Sequence, residues 1–478
     1  MNRRMICRVL GLILECLAAL LLLPMVAGLC YGERVDHFLI TIGVSALLGF
    51  LLARVRPHSD VIYAKDGFVV VSLGWILMSM IGALPFVLSG DIPHYIDALF
   101  ETVSGFTTTG ASILDDIEGL SRGCMFWRSF THWIGGMGVL VFILAVLPMS
   151  GEHSMHIMRA EVPGPTVGKL VPRVRQTAKI LYLIYIAMTL LEMLLLLLGG
   201  MSFYDALLHA FATAGTGGFS TRAASIAAFD SLYLEMVIAV FMVLFGVNFN
   251  LYFLLLIGRW KDALKSEELH WYLGIIAASV MAIALGISKM YGGLAAGLRH
   301  AFFYVASITS STGFGTVDFV TWPEYCKWII VMLMFCGACA GSTGGGIKTS
   351  RVIILFKNVA CEIRQMIHPR AVTRVQLDGK RVDAVGLKAV STFFTSFMLL
   401  LIAGSFLVSL DGYDMATNFS AVLSSLSNIG PGMSLIGPTG NYNIFSYGSK
   451  LVLTVTMLIG RLEIFPILIL FSPSTWKR

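Results

Sequence analysis

The chain has 478 residues, of which 57% are hydrophobic and 13% are charged, and its mean hydropathy is +0.82. Because soluble domains carry about 25% charged residues, this composition excludes a soluble fold and indicates an integral membrane protein. The net charge of +6 follows from the membrane topology described below, so no nucleic-acid partner is expected.

Ten apolar segments follow one another along the chain, and most have the ~20 residues that a helix needs to cross ~30 Å of hydrocarbon. They are 9–31, 38–53, 68–88, 125–148, 180–199, 232–257, 271–288, 325–357, 389–410 and 447–471. Since the bilayer core offers the backbone no hydrogen-bond partners, these segments are expected to be helices. The first segment is too long for a signal peptide and has no clear small-residue cleavage site, so it is expected to be a span.

The distribution of Lys and Arg predicts the orientation of the chain. With the N-terminus placed in the cytoplasm, the inner segments carry 24 of the 34 Lys and Arg residues. Because basic residues concentrate on the cytoplasmic side, both termini are expected to be cytoplasmic. The basic segment 349–388 is the largest inner loop. It is interpreted as a topology signal, with a docking surface for an acidic partner as the alternative.

Four segments on the predicted outer side share one plan. They are DALFETVSGFTTTGAS (97–112), DALLHAFATAGTGGFS (205–220), HAFFYVASITSSTGFG (300–315) and TNFSAVLSSLSNIGPG (417–432). Aligned without gaps, each starts with about three turns of amphipathic helix, which is too short to cross a bilayer. Each then continues into small polar residues with a glycine at the same offset. These glycines are Gly110, Gly218, Gly313 and Gly430.

Each of these segments lies between two apolar spans. The predicted fold class is therefore an all-α integral membrane protein with about ten spans. Two N-terminal helices precede four helix–pore-loop–helix repeats, which are arranged with pseudo-fourfold symmetry around one pore. The predicted boundaries are 1–60 for the N-terminal pair and 61–155, 156–260, 261–370 and 371–478 for the repeats.

The four re-entrant segments predict an ion pathway, because non-helical backbone at membrane depth is tolerated only where it is buried or lines water. Facing one axis, their carbonyl oxygens can replace the hydration shell of a cation. Each short helix would also point its partly negative C-terminal end at that axis. The predicted filter contains no carboxylate, which favours a monovalent cation over calcium. For any single glycine, the alternative is an ordinary helix cap.

The stretch ACAGSTGGGIKTSR (338–351) contains the glycines, lysine and threonine that are typical of a phosphate-binding loop. Such a loop needs G-x-x-x-x-G-K-[ST], but here Ile347 separates Gly346 from Lys348, and the stretch lies inside an apolar run. No nucleotide is therefore expected on this chain. Cys336 and Cys339 form a CxxC without a second ligand pair, so no structural zinc site is expected.

These motifs, together with PGPTVGKLVPRVRQTAK (163–179) and GRLEIFP (460–466), resemble the TrkH subunits of bacterial Trk potassium uptake systems, in the superfamily with KtrB and the plant HKT transporters. The resemblance covers nearly the whole chain. It implies K+ transport across the bacterial inner membrane through a filter of backbone carbonyls. The implied filter residues are Thr108, Thr109, Gly110, Thr216, Gly217, Gly218, Ser311, Thr312, Gly313, Asn428, Ile429 and Gly430.

The first loop bears on ion selectivity in this superfamily. Serine in place of its glycine is associated with sodium transport, so Gly110 favours potassium. The fourth loop, with Asn428 and Ile429, departs most from the common pattern.

The resemblance also implies a gate and partners. The stretch 338–351 would be a break in the second helix of the third repeat, closing the path beneath the filter until regulators act. Its implied gating residues are Gly341, Ser342, Thr343, Gly344, Gly345, Gly346 and Lys348. The implied partners are a second copy of the chain, in a homodimer, and a cytoplasmic ring of TrkA-like nucleotide-binding subunits, besides membrane lipids.

Two basic residues fall inside predicted spans, where charges usually face a cavity or a partner. Arg461 is expected about midway along the last span, with Glu463 nearby. It would either act as an electrostatic barrier below the filter or pair with a carbonyl or carboxylate between helices. Lys348 is expected to form a structural pair or to snorkel to the inner interface.

Other functions fit the sequence less well. A sodium-conducting or ion-coupled symporter of the same fold is the alternative. A secondary transporter with a midplane substrate site would show two inverted repeats. An enzyme is not predicted, since the chain has neither HExxH nor a G-x-S-x-G elbow at a strand–helix turn. Four histidines stand singly and are expected to be interfacial: His132, His153, His156 and His270.

Overall fold

The structure is a computed structural model that describes residues 1–56, 63–138, 174–370 and 373–476. Most of the described chain is helical. Its described strands, β1 (Gln376–Leu377) and β2 (Lys380–Arg381), form one small antiparallel hairpin. The predicted all-α membrane fold is confirmed.

The helices of the described ranges are numbered in chain order. They are α1 (Arg3–Leu20), α2 (Leu22–Cys30), α3 (Asp36–Ala53), α4 (Ala64–Gly82), α5 (Leu84–Ser89), α6 (Tyr95–Phe106), α7 (Arg122–Gly136), α8 (Val174–Leu198), α9 (Phe203–Ala214), α10 (Leu232–Phe245), α11 (Phe249–Leu256), α12 (Trp260–Leu264), α13 (Glu267–Ile287), α14 (Leu294–Thr309), α15 (Glu324–Cys336), α16 (Thr349–Ile367), α17 (Ala384–Val408), α18 (Met415–Ser427), α19 (Tyr447–Arg461), α20 (Phe465–Phe471) and α21 (Pro473–Trp476).

Six helical stretches in the described ranges are long and apolar enough to cross a membrane, or seven if the bent pair α10 and α11 counts as one span. The remaining predicted spans are 125–148, 325–357 and 447–471. The first of these continues into residues 139–148, which lie outside the described ranges. Most of the quoted motif 163–179 also lies outside them. The other two are broken in their middle.

The helices that follow the last three short helices are each interrupted. α10 and α11 meet at a bend of 90°. α15 and α16 are separated by residues 337–348, where the family resemblance implies a break. α19 ends at Arg461 and α20 starts at Phe465. The prediction of one continuous last span with Arg461 midway was therefore wrong.

The two unpredicted breaks have local sequence signals. Gly246 follows α10, and Asn248 caps α11 with its side chain, which are the residue types typical of helix ends and starts. Pro466 lies in the first turn of α20 and has no N–H to continue a helix. Just before it, Glu463 and Ile464 adopt left-handed φ values of 55° and 70°.

Four short helices begin the four repeated segments, as the sequence predicts. α6, α9, α14 and α18 have 12, 12, 16 and 13 residues, fewer than the ~20 needed to cross the hydrocarbon core. Each leads into the polar, glycine-containing stretch of its segment. Four stretches of irregular backbone are thus held between helices.

Both ends of the described chain lie on one face of the molecule, which we call the terminal face. Arg3 Nη2 donates a hydrogen bond to the Trp476 carbonyl at 3.4 Å. Lys65 Nζ donates to the Ser474 carbonyl at 2.8 Å. The two ends of the described chain therefore lie close together on this face.

Ion pairs fix three of the short-helix contacts. The pairs, each at 2.6 Å, are Arg128–Glu101, Lys450–Asp97 and Arg299–Glu235. In the first pair the two side chains are 1% and 0% exposed. Glu101 also accepts hydrogen bonds from the Ser112 hydroxyl at 2.9 Å and the Ile113 N–H at 3.0 Å. The buried carboxylate is therefore fully partnered, as burial of a charge requires.

Removing Glu101 would leave the Arg128 guanidinium buried without its counter-charge. We expect Glu101→Ala to lower the free energy of unfolding by about 3–5 kcal/mol. Thermal denaturation in detergent, followed by intrinsic tryptophan fluorescence, measures the loss. The matched control is Glu118→Ala, which removes an exposed pair with Arg222 and should change stability by about 1 kcal/mol or less. Equal effects of the two variants would contradict the structural importance of the buried pair.

Candidate functional site

The four loops that follow the short helices share an unusual backbone conformation. One or two residues after each helix, a residue other than glycine has a left-handed φ, and two positions later a glycine also has a positive φ. The first set is Thr108, Thr216, Ser311 and Asn428, at 54°, 56°, 60° and 54°; the glycines are Gly110, Gly218, Gly313 and Gly430, at 77°, 78°, 85° and 101°. A left-handed residue other than glycine costs roughly 1–2 kcal/mol, and such strain concentrates at functional sites.

Between the two left-handed positions lies a residue whose φ is not positive. These residues are Thr109, Gly217, Thr312 and Ile429. Alternation in the sign of φ allows successive carbonyl groups to point to the same side of a chain, whereas they alternate sides in a β-strand. Each loop therefore has a backbone able to present a row of carbonyl oxygens to one axis.

The four loops close into a ring through their glycines. A Cβ added to each glycine would collide with the carbonyl oxygen that precedes the corresponding glycine of another loop. The contacts are Gly110 with Gly217, Gly218 with Thr312, Gly313 with Ile429, and Gly430 with Thr109. The order runs from the first loop through the fourth and back to the first. All twelve residues predicted for the filter lie in these four loops.

Hydroxyl groups form hydrogen bonds within two of the loops and between the first and the fourth. Thr107 and Thr109 hydroxyls lie 2.8 Å apart in the first loop, and the equivalent hydroxyls of Ser310 and Thr312 lie 2.7 Å apart in the third. Asn428 donates from Nδ2 to the Thr109 hydroxyl at 3.0 Å. The fourth loop, which departs most from the others in sequence, therefore has the same backbone and is tied to the first loop by its divergent residue.

His132 of α7 forms hydrogen bonds to the backbone next to the first and second loops. Its Nε2 accepts the Phe219 N–H at 3.2 Å, so Nδ1 carries the proton and donates to the Gly105 carbonyl at 2.8 Å. The side chain is fully buried, and the expectation that His132 is interfacial was wrong. A Cβ on Gly217 would overlap its imidazole ring. A single histidine in a helix gives no sequence signal for this role.

A cavity of about 160 Å³ lies against the ring. Its lining includes all four ring glycines, and the segments that follow the loops form its walls. Asp115 and Arg222 contribute charge to this lining. The ring therefore has a polar vestibule.

The break between α15 and α16, residues 337–348, packs against the helix ends that precede the third and fourth loops. A Cβ on Gly344 would lie 2.7 Å from the Ser310 carbonyl oxygen, and one on Gly345 would overlap the Ser427 carbonyl. The Gly345 N–H donates to the Ser311 hydroxyl at 2.6 Å. This intramembrane loop is thus in direct contact with the ring.

The charged residues of this region bind backbone carbonyls. Lys348 is 3% exposed and donates to the Gly344 carbonyl within the same loop. Its ammonium group is therefore committed to the backbone of the loop. Next to it, Arg351 of α16 pairs with Glu463 at 2.6 Å, which joins the start of α16 to the break between α19 and α20.

Arg461 connects three parts of the molecule. Its Nη1 donates to the Thr343 carbonyl in the intramembrane loop at 2.8 Å. Its Nη2 donates to the Gly135 and Gly136 carbonyls at the end of α7, at 2.5 and 2.7 Å. These carbonyls belong to helix ends and to broken backbone, which leave acceptors unpaired. Arg461 therefore supplies hydrogen bonds to them and places a positive charge beside the intramembrane loop.

Comparison with known proteins gives one consistent result. The model of the TrkH family, described as a cation transport protein, matches residues 34–274 and 288–478. The Trk system potassium uptake protein TrkH of Escherichia coli K12 is 35% identical over 489 residues, covering 100% of both chains. The Trk system potassium uptake protein TrkG of the same strain is 33% identical, with 99% of each chain covered.

A solved structure resembles the fold along its whole length. The crystal structure of the potassium transporter TrkH from Vibrio parahaemolyticus matches with a TM-score of 0.90 and 32% identity, covering 100% of both chains. The family model and the full-length relatives agree with this match, and the chain belongs to the TrkH family of cation transport proteins.

Proposed function

We propose that this chain is the membrane subunit of a potassium uptake system and conducts K+ through the ring of four loops. The observation that carries the proposal is the closure of the ring, which brings four strained backbone segments around one axis. The similar proteins of E. coli and V. parahaemolyticus are named as potassium uptake or transport proteins, which supports K+ as the transported ion.

The proposed filter consists of neutral oxygens. Three carbonyls in each loop would replace the hydration shell of the ion, as in filters built from backbone carbonyls. They belong to the residues Thr108, Thr109, Gly110, Thr216, Gly217, Gly218, Ser311, Thr312, Gly313, Asn428, Ile429 and Gly430. The absence of carboxylates from these positions favours a weakly hydrated monovalent ion over calcium, which prefers charged oxygen ligands.

The proposed gate is the stretch 338–351, which comprises most of the intramembrane loop and the first residues of α16. Contacts of Gly344 and Gly345 with the Ser310 and Ser427 carbonyls support a closed position directly against the ring. Arg461 would serve two purposes there. It holds the Thr343 carbonyl, and its charge disfavours a cation leaving the filter until the loop and the arginine move apart.

The setting and partners of the subunit are part of the proposal. The excess of Lys and Arg in alternate loops supports a cytoplasmic terminal face in the bacterial plasma membrane. The domain boundaries given above would delimit four repeats of one ancestral pore unit. A cytoplasmic ring of nucleotide-binding TrkA-like subunits would bind at the terminal face, so that nucleotide acts on the partner.

A homodimer would bury an apolar stripe on α16. The stripe comprises Phe356, Val359, Ile363 and Met366, whose side chains are 75%, 57%, 53% and 78% exposed. Their spacing of three, four and three residues is that of a coiled-coil seam. Charged Glu362 and Arg364 on the same helix indicate that this part lies outside the hydrocarbon core. We propose that α16 of a second copy of the chain packs against this stripe.

Gly110 tests the filter. In Gly110→Ser, the new Cβ would collide with the Gly217 carbonyl and require a side chain at φ 77°. We expect the preference for K+ over Na+ to fall at least about tenfold, equivalent to ~1.4 kcal/mol. The measurement is radioactive rubidium uptake into proteoliposomes under an outward K+ gradient, with K+ and Na+ as competitors.

The control for this experiment is Gly43→Ala, since Gly43 has open space around it and no positive φ. It should retain wild-type selectivity. Wild-type uptake that Na+ and K+ reduce equally would contradict the potassium assignment and favour the sodium-conducting or ion-coupled alternative.

Gly345 tests the gate. In Gly345→Ala, the Cβ would overlap the Ser427 carbonyl, so the loop must leave its closed position. Overpacking of this kind costs about 1–3 kcal/mol, which shifts a closed–open equilibrium by about 5- to 150-fold. Basal rubidium uptake should rise accordingly while K+ remains preferred over Na+. Unchanged uptake by a folded variant would count against the gating role.

The stripe on α16 predicts the oligomeric state. Ile363→Glu would place a charge at the seam, and the detergent-solubilised protein should change from dimer to monomer in light scattering. Val385→Glu, at a position on α17 that is 77% exposed, should leave the dimer intact. A wild-type monomer, or a dimer that tolerates the glutamate, would refute this interface.

A further inference from the structure

The first turn of α13 lies between the intramembrane loop and the β1–β2 hairpin. Glu268 is 6% exposed, and its Oε1 accepts two backbone hydrogen bonds. One comes from the Ala340 N–H at 2.7 Å and the other from the Ser350 N–H at 3.1 Å. Ala340 precedes the glycine-rich centre of the loop, and Ser350 follows it. Since Ser350 lies in the first turn of α16, one carboxylate oxygen joins the early part of the loop to the helix that follows it.

The neighbouring residue, Glu267, is held by the hairpin. Asp378 Oδ1 accepts the Glu267 N–H at 2.6 Å, which places an acceptor at the partly positive start of a helix. Asp378 and Gly379 form the hairpin turn with φ values of 51° and 70°, the conformation that Asp-Gly favours between two strands. Lys357 of α16 donates to the Glu267 carboxylate and, at 2.8 Å, to the Gln376 carbonyl.

Resting on the proposed gating function, we propose that Glu268 is a positioning residue that clamps the intramembrane loop in its closed position, and that the β1–β2 hairpin sets the position of this clamp. Both N–H groups depend on the same Oε1 atom, so the removal of that atom releases both of them. While the Ala340 and Ser350 N–H groups stay on the same oxygen, the glycine-rich segment between them is held against the ring.

The hairpin is suited to act on the clamp from outside the membrane. Asp378, Gly379 and the strand β2 are exposed, whereas their contacts lead directly to the first turn of α13. A displacement of the hairpin moves the Glu267 backbone, and Glu268 is the next residue in the same helical turn. The contacts of Asp378 and of Glu268 thus form one continuous link between the surface and the loop.

Rubidium uptake into proteoliposomes tests the clamp. Glu268→Ala removes the acceptor, and basal uptake should rise about 5- to 150-fold with the preference for K+ over Na+ intact. Glu268→Gln keeps an oxygen for the two N–H groups and should lie between alanine and wild type. Glu324→Ala, at the opposite end of α15 with an 82% exposed carboxylate, should behave as wild type.

Selectivity separates a clamp from a merely structural residue. Raised uptake without selectivity, or lost uptake, would mean that Glu268 supports the pore itself and would overturn the proposal. Unchanged uptake in a folded Glu268→Ala protein would overturn it as well. If Gly345→Ala opens the pore and Glu268→Ala does not, only the clamp fails. If neither variant nor the wild type shows K+-selective uptake, the proposed function fails.

The hairpin is tested with a turn-preserving substitution. In Asp378→Gly the new glycine can adopt the left-handed turn but has no carboxylate, so basal uptake should rise. In Asp378→Asn the side chain keeps an acceptor oxygen, so basal uptake should rise less. In the double variant with Glu268→Ala, uptake should equal that of Glu268→Ala alone, because both changes act through one contact. Multiplication of the two effects would show that the hairpin does not act through Glu268.

Discussion

The close approach of four backbone segments is the constraint on which the rest of the structure depends. At Gly110, Gly218, Gly313 and Gly430 a Cβ would overlap the carbonyl of another loop, so any other residue at these positions requires the facing loop to shift. The same positions need a positive φ, which glycine adopts without the penalty that other residues have. The lack of room for a Cβ and the positive φ therefore both favour glycine at each of the four positions.

The ring also needs support, because it includes four left-handed residues that carry a side chain. Such residues persist only where the surroundings hold them. Hydrogen bonds from buried polar side chains in the loops and the adjacent helices hold them. Asn428 ties the fourth loop to Thr109 of the first, and His132 links the first short helix to the second loop. The buried Arg128–Glu101 pair completes this scaffold.

The breaks in the helices that follow the short helices have a shared physical consequence. Each break frees backbone N–H and carbonyl groups that cannot remain unpaired away from water. Charged side chains meet this need on both sides of the intramembrane loop. Arg461 donates to carbonyls of α7 and of the loop, and Glu268 accepts from two N–H groups of the loop and α16. The charged side chains of this region thus provide the hydrogen bonds that its irregular backbone needs.

The sequence alone determined the membrane class, the helical fold and the four repeated segments. Long apolar runs and a glycine at one offset are local features, and their physical meaning does not depend on distant contacts. The third-repeat break was implied by the family resemblance, and its local basis is a run of glycines, which weakens a helix. The Asn248 and Pro466 signals at the other breaks were also local, although the apolar stretches around them obscured both.

Only the tertiary structure decided which residues meet. Nothing local to Gly110 indicates the carbonyl of Gly217, which follows more than a hundred positions later and excludes a Cβ. His132 and Glu268 lie in helical stretches and belong to no recognisable motif, and their roles depend on partners from other parts of the chain. Arg461 was visible in the sequence as a costly charge, but its three carbonyl partners come from two distant segments. Composition and spacing fix what each segment can become, whereas packing fixes the partner of each buried polar group.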